Sequence, residues 1–106
     1  LRGVASALLQ QRGLRERFFP GVREPEWLML LALADVGASL SVTALCYSSY
    51  APYTTALRHI DRLERKGLVE REDHPSDERS VLVRLTIHAR EKFDAFSERL
   101  EQREAA

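Results

Sequence analysis

The residues best equipped for chemistry lie between positions 52 and 84, and the chemistry they fit is hydrogen bonding to a polyanion. Thr54, Thr55, Arg58 and Arg62 fall on one arc of a helix, which Asp61 and Arg65 share, with Tyr53 close to its inner edge. Hydroxyls and guanidinium forks are donors suited to phosphate oxygens and base edges. The bland alternatives are that the threonines cap the helix and that the arginines form a solvated face. Arg62 is the weaker donor of the two, because Asp61, Glu64 and Asp77 compete for it. A polar turn follows, carrying Pro75, Ser76, Asp77 and Arg79. Other chemistry finds no support. His59, His74 and His88 are too scattered for metal-ligand spacing. Cys46, beside Leu45 with no basic neighbour to lower its pKa, reads as a small packed hydrophobe rather than a redox switch. There is no glycine-rich phosphate loop and no nucleophile motif. Glu70 and Glu72 alternate with arginine on a strand edge, which is the pattern of a charged surface. The expectation is no enzyme, no cofactor and no metal.

Those donors need a scaffold. Ala56, Ile60, Leu63 and Gly67 recur at spacings of four, three and four, so one face of a helix starting near Pro52 turns inward. Arg65 and Lys66 place cations in its last turn, and Gly67 supplies a residue free to take positive φ. Leu68-Val69 and Val81-Leu82-Val83 bracket about ten polar residues, predicting a hairpin with a long tip. Upstream, Ser41 is a natural N-cap for a short helix over Val42–Ser48, and Ser48, Ser49 and Tyr50 form a turn. Two helices joined by a tight turn make a helix-turn-helix, whose second helix enters the major groove with its N-terminal residues at base edges. Ser39-Leu40 is placed to pair with the hairpin. The expected fold class is mainly α with a small β-hairpin, an α+β winged helix-turn-helix.

The flanks read as helices. Leu1, Val4, Ala5, Leu8, Leu9, Leu14, Phe18 and Phe19 follow helical spacing until Pro20-Gly21. Pro25 opens a helix over Glu26–Val36 that is apolar nearly all round, hence buried on most sides, with Trp27 in the core and Gly37 as terminator. Thr86 caps a last helix in which Ala89, Phe93, Phe96 and Leu100 repeat at four, three and four. Residues 1–19 and 87–104 are expected to pair two copies of the chain, the alternative being that the last stripe packs only on its own domain. A further reading has Trp27, Phe18, Phe19 and Phe93 lining an apolar cleft for an effector, but core packing is the better use of those rings.

The totals bound these expectations. At 106 residues, 44% hydrophobic and 30% charged, the chain suits one soluble globular domain over 1–106. Its longest apolar run, Trp27 to Ala34, is too short to span a bilayer, and no signal-peptide pattern appears. A single cysteine excludes an internal disulfide and makes the cytoplasm the expected location. The chain starts at Leu1, leaving room for residues ahead of it. Net charge is zero, which counts against DNA, since most DNA-binding domains are basic. Pro52–Arg84 is balanced too, with seven basic and seven acidic residues. In favour of DNA, Pro52 to Ile60 carries Arg58 and no acid, and 14 of the 16 basic residues are arginine, although genomic base composition explains that excess equally well. The second expectation is therefore a winged helix that contacts protein and not DNA.

The chain resembles the MarR family of winged-helix transcriptional regulators over roughly Pro25 to Leu100. The resemblance is carried by Leu45, Thr54-Thr55, Arg58, the string Asp61-Arg62-Leu63-Glu64-Arg65-Lys66-Gly67-Leu68-Val69, Arg71, Asp77-Glu78-Arg79 and Val83-Arg84-Leu85-Thr86. It implies a homodimer with interlocked terminal helices that binds double-stranded DNA, often releasing it when a small aromatic or apolar effector binds. It implies that Thr54, Thr55 and Arg58 approach the major groove. It further implies that Asp77 braces an arginine at the wing base and that Arg79 reaches the minor groove, where a narrow groove attracts arginine. The chain departs from the family near Tyr50, where Gly is usual, at His59, where an apolar residue is usual, and at Ala89, where Gly is common. Its terminal helices are short for the family.

Overall fold

A computed structural model of the chain describes residues 12–74 and 76–105; the side chains of residues 73–74, 77–80 and 103–105 lie outside that description. Helix α1 is described over residues 12–18, and the apolar positions Leu1 to Leu9 lie outside the described residues. Then come α2 (Glu24–Val36), β1 (Leu40–Ser41), α3 (Val42–Ser49), α4 (Tyr53–Arg65), β2 (Val69–His74), β3 (Asp77–Leu85) and α5 (Ile87–Ala105). The three strands form one antiparallel sheet in the order β1-β3-β2.

Each boundary has a local cause. The Ser41 hydroxyl accepts the Ala44 N–H at 3.1 Å and starts α3. Gly37 ends α2 at φ 69°, and Gly67 follows α4 at φ 73°; both angles are in the left-handed region that glycine enters without a Cβ penalty. The Thr86 hydroxyl accepts the Ala89 N–H at 3.1 Å and donates to the Gly67 carbonyl at 2.6 Å. One residue therefore caps α5 and ties it to the end of α4.

The core is a single cluster drawn from every helix and from β2 and β3, with Leu14, Met29, Leu30, Leu45, Ala56, Ile60, Leu63, Val83 and Ala89 almost completely buried. The aromatic rings pack on one another: Trp27 stacks on Phe93 at 5.6 Å between centroids, and Phe19 lies 4.7 Å from Phe93. Core packing is thus their main role, although Phe93 also borders a shallow cleft beside α5. Buried Leu14 and Phe19 seat α1 on α2 and α5. On α2, Leu31 and Val36 remain exposed, so its burial is less complete than its all-round apolar composition implied.

The hairpin differs from the long-tipped loop expected from the sequence. Pairing runs from Val69↔Leu85 through Asp73↔Val81 to His74↔Asp77, with an irregularity between Asp73 and His74. Only residues 75–76 separate the strands. The polar stretch is strand because a two-stranded ribbon that leaves the body is wet on both faces, so it needs no hydrophobic alternation. β1 pairs one residue later than expected, through Leu40↔Val83 and Ser41↔Leu82.

Candidate nucleic-acid interface

The corner between α3 and α4 is built from the inside outward. Leu45 is fully buried and anchors α3. The buried Ser49 hydroxyl donates back to the Leu45 carbonyl at 2.7 Å, and Ala51 N–H donates to the Cys46 carbonyl at 3.2 Å, closing the turn. Tyr50 caps α3 at φ 56° and ψ 33°, and it is the sole non-glycine residue with positive φ among the described residues. That conformation costs a side-chain-bearing residue about 1–2 kcal/mol. The glycine usual at this place in the family would avoid the cost.

Helix α4 then presents two faces. Ala56, Ile60 and Leu63 are buried, whereas Thr54 and Arg58 are exposed and Thr55 is half-buried. Tyr53 is 56% exposed, more open than the half-buried ring its position on the helix implied, because α4 begins there and its first turn projects past the core. Tyr53, Thr54, Thr55 and Arg58 therefore share the outer, N-terminal part of α4. The stretch from Val36 to Ile60 contains no Asp or Glu, although the chain has 16 acids. It does contain all three tyrosines of the chain, and Tyr47 and Tyr50 are 79% and 89% exposed. The acid-free stretch is legible in the sequence at more than twice the length first noted there.

Arg62 belongs to a different environment. Its Nε donates at 2.7 Å to Glu26 Oε2, and His59 Nδ1 is 2.8 Å from the same oxygen. Glu26 is completely buried on α2, and its other oxygen accepts the Arg23 N–H at 3.1 Å. Burial by itself would raise the Glu26 pKa. The hydrogen bonds from His59, from the Arg23 backbone and from Arg62, with the guanidinium charge, outweigh it and hold the carboxyl below its usual value. Glu26 thus caps α2 and clamps α4 through two side chains one helical turn apart. Two of the three expected competitors for Arg62 are engaged differently, Asp61 and Glu64 both pairing with Arg71, and the side chain of the third, Asp77, lies outside the described residues. His59 is itself buried, and its bond to Glu26 satisfies the ring nitrogen there. The signal for Glu26 was its place directly before the apolar run from Trp27 to Ala34, where a buried carboxylate must find cations.

The ribbon holds the remaining candidates. Ser76 is exposed at the tip. Asp77 and Arg79 lie in β3, and their side chains are outside the described residues. Nearer the body, Arg84 pairs with Glu70 directly across the ladder at 2.9 Å and with Glu72 at 3.2 Å. The Ser39 hydroxyl donates to Glu72 as well. A shallow cleft of about 230 Å³ lies between α2, β3 and α5, lined by Leu33, Leu85, Phe93, Arg90 and Asp94 among others. Among the described residues no group of His, Cys, Asp and Glu is arranged to hold a metal ion, and no helix is long and apolar enough to cross a membrane.

Comparison with known proteins adds three findings. The family model described as MarR family matches residues 21–80. A Bacillus subtilis protein described as the uncharacterized HTH-type transcriptional regulator YdgJ is 47% identical over 38 residues, a match spanning 36% of this chain and 23% of that protein. Two solved structures share the fold. RV1404 from Mycobacterium tuberculosis superposes with a TM-score of 0.89 at 20% identity, covering 99% of this chain and 71% of that one. A mutant of S. aureus MepR bound to an oligodeoxyribonucleotide gives 0.83 at 19% identity, covering 98% and 75%.

Proposed function

Because the chain belongs to the MarR family, we propose that it is a sequence-specific DNA-binding transcriptional regulator whose α4 enters the major groove. The observation that carries this reading is the outer face of α4. It offers Thr54, Thr55 and Arg58 at the N-terminal end from which a recognition helix reads bases, in a stretch without acids up to Asp61, whose carboxylate pairs with Arg71. Tyr53 borders that face. Arg62 acts from behind by fixing α4 on Glu26, with part of its guanidinium left for a phosphate. Ser76 and Arg79 on the ribbon reach the adjacent backbone and minor groove, and Asp77 braces the ribbon. A second copy of the chain, joined through residues 1–19 and 87–104, supplies the other half-site about one helical turn away. A small aromatic or apolar effector fits the cleft between α2, β3 and α5, where Arg90 supplies a cation.

A gel shift with genomic fragments tests the central reading. A small subset of fragments is retained, and binding falls steeply as salt rises, as displaced counterions require. Retention of no fragment, or equal retention of all, contradicts sequence-specific recognition. On a retained fragment, Arg79→Ala weakens binding on all sequences alike; unchanged affinity across a salt titration removes the ribbon from the interface.

A further inference from the structure

We propose that Tyr47 and Tyr50 extend the DNA contact onto the sugar–phosphate strand beside α4, with their phenolic hydroxyls as uncharged donors to phosphate oxygens. This role rests on the reading of α4 as the helix that enters the groove.

Four observations converge on it. Tyr47, in the last turn of α3, and Tyr50, in the turn itself, are 79% and 89% exposed, so neither ring serves the core. Among the described residues neither hydroxyl has a hydrogen-bond partner in the protein. Tyr50 occupies a left-handed backbone position at φ 56°, where a side chain is a burden on the fold. A strained residue with an unused side chain on the surface is more readily explained by a contact outside the protein than by folding. Finally, both tyrosines lie within the acid-free stretch from Val36 to Ile60, so no neighbouring carboxylate in that stretch repels a phosphate.

The geometry of the motif selects the phosphate strand over the bases. In a helix-turn-helix the first helix crosses the backbone while the second lies in the groove. The end of α3 and the turn after it therefore meet the strand that borders the groove. The turn is held by Ser49 on the Leu45 carbonyl and by Ala51 on the Cys46 carbonyl, so Tyr50 is presented by a fixed backbone. A phenol is an effective donor here because a hydrogen bond to a charged acceptor is stronger than a neutral one.

The test uses a fragment selected by the wild-type protein from random double-stranded DNA. Tyr47→Phe and Tyr50→Phe, which remove only the hydroxyl, each weaken binding about tenfold on every retained sequence. They leave the slope of log affinity against log salt unchanged, because an uncharged donor releases no counterion. Tyr50→Gly weakens binding at least as much while raising the melting temperature, a pair of opposite changes that a merely structural residue does not produce. Wild-type affinity in both Phe variants overturns the tyrosine role while leaving α4 in the groove. A shift in oligomeric mass in the variants, with DNA affinity retained, overturns it too and assigns the surface to another protein chain. A wild-type protein that selects no DNA overturns the groove reading and this role together.

Discussion

The α3–α4 corner and the β2–β3 ribbon carry their charge in opposite ways. At the corner Arg58 stands on an exposed face with no acid between Val36 and Ile60. At the base of the ribbon each described arginine faces two carboxylates: Arg71 meets Asp61 and Glu64, and Arg84 meets Glu70 and Glu72. The chain's net charge of zero thus conceals a local difference between a region whose described cations are engaged internally and one whose cation is available. Phosphate recognition depends on local potential within about a Debye length, roughly 10 Å at 0.1 M salt, so the distribution decides what the total obscures.

The contrast breaks most severely if the support behind the corner is removed. Glu26→Ala leaves His59 and Arg62 facing a buried gap and is expected to cost about 3–5 kcal/mol, measured by urea unfolding. Next in size, Arg58→Ala is expected to lose about 1–3 kcal/mol of DNA binding, by an amount that differs between sites, with folding unchanged. An equal loss on every sequence demotes Arg58 to a phosphate contact. Tyr50→Gly is expected to stabilise the fold by about 1 kcal/mol, read as a higher melting temperature, through release of the left-handed strain. The smallest effect belongs to the ribbon: Arg84→Ala is expected to change stability by less than about 1 kcal/mol, because its pairs are half-exposed, and to leave DNA affinity nearly intact.

Acid sharpens the same contrast. Glu26 has a lowered pKa in the folded state, so the unfolded chain holds that proton more tightly. The resulting stabilisation is complete above the ordinary value of 4.5 and fades as pH falls through the lower folded-state value. Urea midpoints measured across this range should fall with acid in the wild type, and fall less in Glu26→Gln, which has no carboxylate to protonate.

Much of this arrangement was legible in the residues themselves. The spacing of Ala56, Ile60 and Leu63 located the inner face of α4, Ser41 and Thr86 marked two helix starts, and Gly37 and Gly67 marked two stops, all through local rules of period and capping. The length of the ribbon was not legible, because strands wet on both faces show no alternation. The Glu26 clamp was missed because it joins residues 33 and 36 positions apart, and no local pattern specifies which carboxylate a given arginine will meet. The departures of Tyr50 and His59 from the family pattern were visible; the structure explains His59 by its bond to a buried acid, and it shows Tyr50 in the left-handed conformation that suits glycine.

The most direct test is the salt dependence of DNA binding, compared between wild type, Arg58→Ala and the double variant Arg71→Ala/Arg84→Ala on one selected fragment. If the corner supplies the available cation, the wild type gives a steep negative slope of log affinity against log salt. Loss of the Arg58 charge from the groove then reduces that slope, by up to about 0.9, while the double variant leaves it nearly unchanged. A slope that is insensitive to Arg58 but reduced by loss of Arg71 and Arg84 would contradict the account.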